Sequence, residues 1–168
     1  MKILFVTSEC APFSKSGGLA DVAFSLPPAL KKAGDEIAII APYYQCTRER
    51  FADQITLVKQ TEVHLGDRAI YCGLHRGELN GVTVWFIENE HFFHRPTLYG
   101  YGDDSLRFAF FCRAVIDLLG DLDFMPRILH CNDWETALVL PFFWKNIFLR
   151  ENRIVFRMPE RRCWLYSD

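Results

Sequence analysis

An α/β fold, built on an open and mostly parallel β-sheet, is what this 168-residue sequence predicts. Short apolar runs alternate with segments of helical spacing, the order expected when each strand is followed by a helix that crosses back over the sheet. The middle of the chain departs from this alternation, since several strand-like runs surround the hairpin dipeptide Asn80-Gly81. The predicted fold is therefore a Rossmann-like sheet with one antiparallel β insertion.

The first part of the chain has the size of one strand–helix–strand unit, about 40 residues. Its patterns predict a strand at residues 2–6, a helix at residues 19–33 and a strand at residues 36–41. Pro27 and Pro28 predict a kink or a broken turn in the helix, because proline supplies no N–H and crowds the preceding turn. Gly34 suits the end of that helix.

The middle of the chain is β-rich, and the alternation of strand and helix resumes after it. The predicted elements are strands at residues 55–58, 62–65, 69–74 and 82–87, a loop at residues 91–102, a helix from Asp103 or Asp104 to about residue 119, a strand at residues 127–131, a helix from Asn132 or Asp133 to about residue 146, and a strand at residues 154–156. The strand after the hairpin turn is expected to rejoin the main sheet.

Composition excludes several classes of protein. The chain has 19 Lys and Arg against 21 Asp and Glu, so it lacks the basic excess of a nucleic-acid binder. The sequence contains no run of 18 apolar residues, so no membrane helix is predicted. The six cysteines form no C-x-x-C pair and no zinc spacing, which favours a reducing cytoplasm and no metal site. The length suits one domain, but not an enzyme that closes two such domains over a substrate.

The first candidate site is the loop of residues 10–18, which leads from the first predicted strand into the first predicted helix. Lys15, Gly17 and Gly18 come just before the helix, whose first turn offers unpaired N–H groups and a partial positive charge. These features suit a diphosphate, although the loop matches neither G-x-x-x-x-G-K-[ST] nor G-x-G-x-x-G. An ordinary turn with a solvated lysine explains them too, and the helix dipole alone explains Asp21 in the first turn.

A second candidate site lies where the strand at residues 127–131 meets the next helix. His130, Asn132 and Asp133 are expected at the same sheet edge as the first loop, where polar groups can bind sugar hydroxyls and Trp134 can support a sugar ring. The alternatives are a helix cap for Asp133, a buried and hydrogen-bonded imidazole for His130, and a core position for Trp134.

The loop around Tyr99 is rich in aromatic residues and glycine. We expect this loop to be mobile and to line a site, as such loops often do. The five histidines show no metal-ligand spacing, and no Ser/His/Asp or Cys/His arrangement is evident.

Taken together, several segments resemble one family. Residues 15–22 read K-S-G-G-L-A-D-V, which is similar to the K-[ST]-G-G-L-[AG]-D-V signature of bacterial glycogen synthases and plant starch synthases, the ADP-glucose enzymes of glycosyltransferase family 5. Thr7-Ser8-Glu9 with Pro12, D-D-S-L-R-F at residues 103–108 and H-C-N-D-W-E-T-A-L at residues 130–138 also match. The order and spacing of these motifs make the resemblance specific, and it covers about residues 1–156.

The resemblance implies the N-terminal, starch-synthase-type catalytic domain of a retaining GT-B glycosyltransferase, in which two Rossmann-like domains face a cleft. The family transfers glucose from ADP-glucose, which is a substrate and not a cofactor, to the 4-OH end of an α-1,4-glucan such as glycogen or starch. The transfer needs no metal.

The motif match also implies a set of substrate-binding residues, but no catalytic residue. Lys15 would contact the phosphates of the donor, in a loop shaped by Gly17 and Gly18. The wall of the cleft near the nucleotide sugar would comprise Asp21, Tyr99 and Asp133, with His130 and Asn132 as neighbours.

The sequence also departs from the family pattern. Ser16 stands where threonine is commoner, and Pro28 is unusual. Residues 157–168 do not resemble the expected T-[IV]-H-N-L continuation, so we expect a truncation or a frameshifted tail, with the C-terminal GT-B domain absent. The chain is thus interpreted as a glycogen or starch synthase fragment that is inactive alone. The alternatives are a non-catalytic nucleotide- or glucan-binding module and an unrelated Rossmann-like phosphosugar binder.

Overall fold

A computed structural model describes residues 1–150 of the chain, and the side chains of residues 1–145. The strand predicted at residues 154–156 and the tail at residues 157–168 lie outside the described residues. Within them, six strands form one sheet in the order β3-β4-β5-β2-β1-β6. The strands are β1 (Lys2–Val6), β2 (Glu36–Pro42), β3 (Thr56–Leu65), β4 (Arg68–Leu79), β5 (Val82–Glu88) and β6 (Ile128–Cys131).

Four of these strands are parallel, and two form the antiparallel insertion. β1 pairs in parallel with β2 and β6, and β2 pairs in parallel with β5. β4 pairs antiparallel with both β3 and β5, and Asn80 and Gly81 take the positive φ angles that a tight hairpin requires. The predicted mostly parallel sheet, and the return of the last insertion strand to it, are therefore confirmed.

The helices cover both faces of the sheet. They are α1 (Leu19–Lys32), α2 (Gln45–Phe51), α3 (Glu90–Phe93), α4 (Asp104–Asp117) and α5 (Val139–Arg150). Alternate residues of β1 enter different cores: Ile3 and Phe5 pack in a cluster with Ala23 of α1, whereas Leu4 and Val6 share a cluster with residues of α4. This alternation follows from the period of two along a strand.

α1 runs through both of its prolines, so the predicted broken turn is wrong. Pro27 and Pro28 are buried, and this burial offsets the backbone hydrogen bonds that the two rings remove.

Two further predictions of element bounds are wrong. The runs at residues 55–58 and 62–65 belong to one strand, β3, whose polar middle is accommodated because β3 is an edge strand with most of its residues exposed. The single helix predicted from residue 132 is a 3₁₀ turn at Trp134–Thr136 followed by α5. Pro141 explains the later start, because proline fits the first turn of a helix and not its interior. The short helices α2 and α3 were not predicted.

Candidate functional site

The candidate site lies at the edge of the sheet where the parallel strands end. The chain places β2 on one side of β1 and β6 on the other, so the strand order reverses at β1. Open α/β sheets bind ligands in the crevice beyond the carboxyl ends of the strands at such a reversal. The loop after β1 and the loop after β6 both start at this point, and they contain five of the eight predicted site residues. Of the other three, Asp21 lies in the first turn of α1, His130 in β6 and Tyr99 in the loop between α3 and α4.

The loop after β1 is organised by a carboxylate that the sequence analysis did not assign to the site. Glu9 accepts hydrogen bonds from the Ser16 hydroxyl at 2.6 Å, the Ser16 N–H at 2.6 Å and the Gly17 N–H at 3.1 Å. Glu9 is only 3% exposed to solvent. An isolated β-bridge between Cys10 and Ser14 closes the same loop. The main chain before α1 is therefore held from inside the protein.

These hydrogen bonds also set the charge of Glu9. Burial alone would raise the pKa of its carboxyl, but the bonds from Ser16 and from the Gly17 N–H outweigh burial and lower the pKa below 4.5. Glu9 is therefore an ionised carboxylate at neutral pH. A buried negative charge is present behind the loop in which an anion was predicted to bind.

Lys15, Gly17 and Gly18 form the exposed front of this loop. The Lys15 ammonium lies 2.6 Å from Oδ1 of Asp21, and both side chains are largely exposed to solvent. Neither glycine has a positive φ angle, and a Cβ added at either would meet nothing within 4 Å. The glycines thus leave open space above the backbone, as a ligand in close approach requires.

The Tyr99 loop is held in place on both sides of Tyr99, contrary to the predicted mobile loop. Oδ2 of Asp104 accepts hydrogen bonds from the N–H groups of Gly100 and Tyr101, at 2.8 and 3.2 Å. The wholly buried Arg107 donates to the carbonyl of Leu98 and forms an ion pair with Asp104, Nε to Oδ1, at 3.1 Å.

A second ion pair, between Arg95 and Asp103, also holds the Tyr99 loop; Asp103 was the alternative to Asp104 as the predicted start of α4. Asp103 forms a two-pronged pair with Arg95 at 2.6 and 2.7 Å instead of capping α4 through its side chain. Ion pairs and main-chain hydrogen bonds therefore fix this loop despite its glycines.

The loop after β6 contains a strained residue. Asp133 has φ 64° and ψ 177°, a conformation that is close to exclusive to glycine, and its exposed carboxylate accepts a hydrogen bond from the Trp134 N–H at 2.7 Å. Asn132 donates its side-chain amide to the carbonyls of Val6 and His130. This amide therefore joins β6 to β1, while the Asp133 side chain is exposed at the sheet edge.

His130 is a residue of the strand and not of the loop. It is paired with Phe5 across β1 and β6, and the two rings are 4.8 Å apart between centroids. Burial lowers the pKa of its imidazole below 6.5, so the ring is neutral at pH 7. This arrangement is close to the alternative of a buried imidazole.

Glu135, two residues after the strained Asp133, is a second buried carboxyl beside the site. It is 4% exposed, and its Oε2 has no hydrogen-bond partner among the described residues. Burial, with the charges of Asp133 and Glu9, raises the pKa of Glu135 to about 7. The site edge therefore holds one carboxylate that stays ionised and one carboxyl that is partly protonated at neutral pH.

Sequence reasoning missed Glu9, Glu135 and Arg107 as parts of the site. A signal for Glu9 was available, since an acidic residue directly after a buried strand and before a Ser-Gly-Gly loop can accept the N–H groups of that loop. Glu135 and Arg107 gave no such signal, because their roles depend on residues that are distant in sequence.

Within the described residues, no three His, Cys, Asp or Glu side chains are grouped so that they could hold a metal ion. None of the described helices is long and apolar enough to cross a membrane.

Comparison with known proteins identifies the family. A sequence profile of the starch synthase catalytic domain matches residues 2–158. The chain belongs to this family. The chain is similar to glycogen synthases: it is 43% identical to the Anoxybacillus flavithermus protein over 152 residues, 46% to the Streptococcus pneumoniae protein over 170 residues, and 48% to the Bacillus cereus protein over 151 residues.

These matches cover nearly all of the chain but only a part of each relative. The alignments include 90%, 100% and 90% of the chain, and 31%, 32% and 30% of the relatives, in the same order. A solved structure, the catalytic domain of starch synthase IV from Arabidopsis thaliana bound to ADP and acarbose, has a TM-score of 0.76 and 35% sequence identity. That match covers 85% of this chain and 30% of the Arabidopsis chain. The chain therefore spans about a third of the length of the proteins that it matches.

Proposed function

We propose that the chain is the N-terminal part of a glycogen or starch synthase, and that it binds the diphosphate of the donor. The complete enzyme transfers glucose from ADP-glucose, with retention of configuration, to the 4-OH end of an α-1,4-glucan. The observation that carries the proposal is the Lys15 loop: an exposed ammonium and two unshielded glycines precede a helix N-terminus at the strand end where the sheet order reverses. The family match and an Arabidopsis relative bound to ADP and acarbose support the same ligands.

The chemistry that we assign to Lys15 follows from charge. Negative charge grows on the leaving diphosphate as the glucosyl–phosphate bond breaks, so a cation already in place stabilises the transition state more than the ground state. The glucosyl unit acquires oxocarbenium character, and groups that fix its orientation contribute as much as acid–base chemistry. No cofactor is part of this proposal, because ADP-glucose is itself the substrate.

The roles of the other site residues are also part of the proposal. Asp21 and Asp133 present exposed carboxylates to the cleft, where they can accept hydrogen bonds from sugar hydroxyls. The strain at Asp133 supports a role there, since strained backbone is concentrated at functional sites. Tyr99 bonds to Ser8 at the start of the first loop, while His130 and Asn132 hold the strand behind the wall. The five free cysteines among the described residues favour a cytoplasmic enzyme.

A transfer assay tests the proposal. The purified chain is expected to bind ADP without moving labelled glucose from ADP-glucose to glycogen. A hybrid in which this chain replaces the matching 32% of the Streptococcus pneumoniae relative is expected to transfer glucose. If the hybrid folds and binds ADP but transfers none, the chain is instead a non-catalytic nucleotide- or glucan-binding module.

A further inference from the structure

The Glu9 carboxylate occupies a position that is normally favourable for a bound anion. Two successive main-chain N–H groups, those of Ser16 and Gly17, point at it together with the Ser16 hydroxyl. Such a concave group of main-chain donors before a helix is a common binding site for phosphate. Here an internal carboxylate fills it, so these two N–H groups are not available to an incoming ligand.

The charge of Glu9 makes its role unusual. An ionised carboxylate near an anion site repels the anion, so the charge of Glu9 by itself disfavours anion binding. Glu9 is nevertheless buried and fully engaged with the loop. Its benefit must then be geometric, because hydrogen bonds to an ionised acceptor are the strong ones and fix the main chain that follows Lys15.

We propose that Glu9 is the positioning residue of the candidate phosphate site. Its carboxylate fixes the Ser16–Gly17 main chain, and this main chain presents the Lys15 ammonium to the ligand. A diphosphate is then contacted by Lys15 and by the N–H of Gly18, which carries no hydrogen bond among the described residues, and not by the N–H groups of Ser16 and Gly17. This inference rests on the proposed function for the identity of the ligand.

Amide hydrogen exchange tests the structural half of the inference on the purified chain. In Glu9→Gln and Glu9→Asp, the Ser16 and Gly17 amides are expected to exchange at least about tenfold faster than in the unchanged chain. The Asp21 and Val22 amides, which bond to the Gly18 carbonyl, serve as the internal reference for an intact helix start. Unchanged exchange at Ser16 and Gly17 would overturn the inference.

Titration with ADP, followed by the amide chemical shifts of the loop, tests the functional half. Glu9→Gln is expected to weaken ADP binding about tenfold, although it removes a negative charge. Glu78→Gln is the matched control, because Glu78 is exposed on β4 beside the hairpin turn, at the opposite edge of the sheet. Tighter ADP binding by Glu9→Gln would show that Glu9 only repels the ligand and would overturn the inference.

A double-mutant cycle separates positioning from general loss of structure. If Glu9 acts through Lys15, Glu9→Gln costs little further affinity in a Lys15→Ala chain. An equal loss in both backgrounds would assign Glu9 a merely structural role and overturn the inference. Equal ADP binding by the unchanged chain and Lys15→Ala would instead overturn the proposed phosphate role of Lys15, and the exchange result alone would then decide whether Glu9 fixes the loop.

Discussion

The hydroxyl of Tyr99 donates a hydrogen bond to Oγ of Ser8 at 2.9 Å, joining residues 91 positions apart in the chain. Ser8 directly precedes Glu9, which fixes the loop of Lys15. On the other side, Arg107 and Asp104 hold the main chain around Tyr99. The buried base of α4 is thus connected to the exposed loop before α1 through a continuous series of polar contacts.

Replacing Tyr99 by phenylalanine tests the central contact of this series. The variant loses one hydrogen bond and leaves the ring contact with Phe108 in place, so we expect the free energy of unfolding to fall by about 1 kcal/mol and the melting temperature by about 2–4 °C. Tyr101→Phe is the control, because the hydroxyl of Tyr101 bonds, within the described part of the chain, only to the exposed Thr97. Equal losses in the two variants, measured by thermal unfolding, would contradict a special role for the Tyr99 contact.

Arg107→Met is expected to be much more damaging. The variant leaves the carbonyls of Phe92 and Leu98 and the carboxylate of Asp104 without their buried cation. The free energy of unfolding, measured in urea, should therefore fall by about 3–5 kcal/mol. Arg113→Met, six residues further along α4, removes a partly exposed pair with Asp117 and should cost less than about 1 kcal/mol. A loss at Arg107 as small as at Arg113 would show that the loop does not depend on the buried guanidinium.

The sequence predicted the parallel sheet and the strand ends at which the two candidate loops lie, because these depend on local patterns. Apolar runs, glycine-containing turns and the Asn80-Gly81 hairpin act within a few residues. The rigidity of the Tyr99 loop was missed, since it comes from Arg107 and from Ser8 across the sheet. The strain at Asp133 was missed for a related reason. An aspartate at the start of a helix predicts a helix cap, and only the surrounding fold forces its φ to be positive.

Glu135 predicts a dependence of stability on pH. Its pKa of about 7 in the folded chain, against an ordinary 4.5, means that the folded chain keeps this proton after the unfolded chain has released it. The free energy of unfolding should therefore fall as pH rises from about 4.5 to about 7, by about 3 kcal/mol from this group, and change little above that range.

Glu135→Gln isolates this contribution, because all other titrating groups are unchanged. Urea unfolding of both chains at pH 5, 6, 7 and 8 should show the variant gaining stability relative to the unchanged chain as pH rises. Glu9, with its lowered pKa, acts in the opposite sense and below about pH 4.5, so the two effects occur in separate ranges. A constant difference between the chains from pH 5 to pH 8 would refute the raised pKa.

Lys15→Ala tests the proposed transfer chemistry in the hybrid synthase described above. Removing the ammonium should lower kcat/KM for ADP-glucose at least about tenfold, because the growing charge on the diphosphate loses its cation. Lys59→Ala is the control, since Lys59 lies on the edge strand β3 and pairs with Asp121. If the two variants have the same kinetics, Lys15 does not act on the diphosphate.

Asp133 offers a test that separates backbone strain from side-chain chemistry. Asp133→Ala and Asp133→Gly both lose the bond from the Trp134 N–H and the exposed carboxylate, but only glycine adopts φ 64° without strain. The glycine variant should therefore be more stable than the alanine variant by about 1–2 kcal/mol in urea unfolding. In the hybrid synthase both variants should lose the same transfer activity, because the carboxylate and not the backbone is expected to meet the sugar. If activity followed stability instead, Asp133 would serve the site only by shaping the turn after β6.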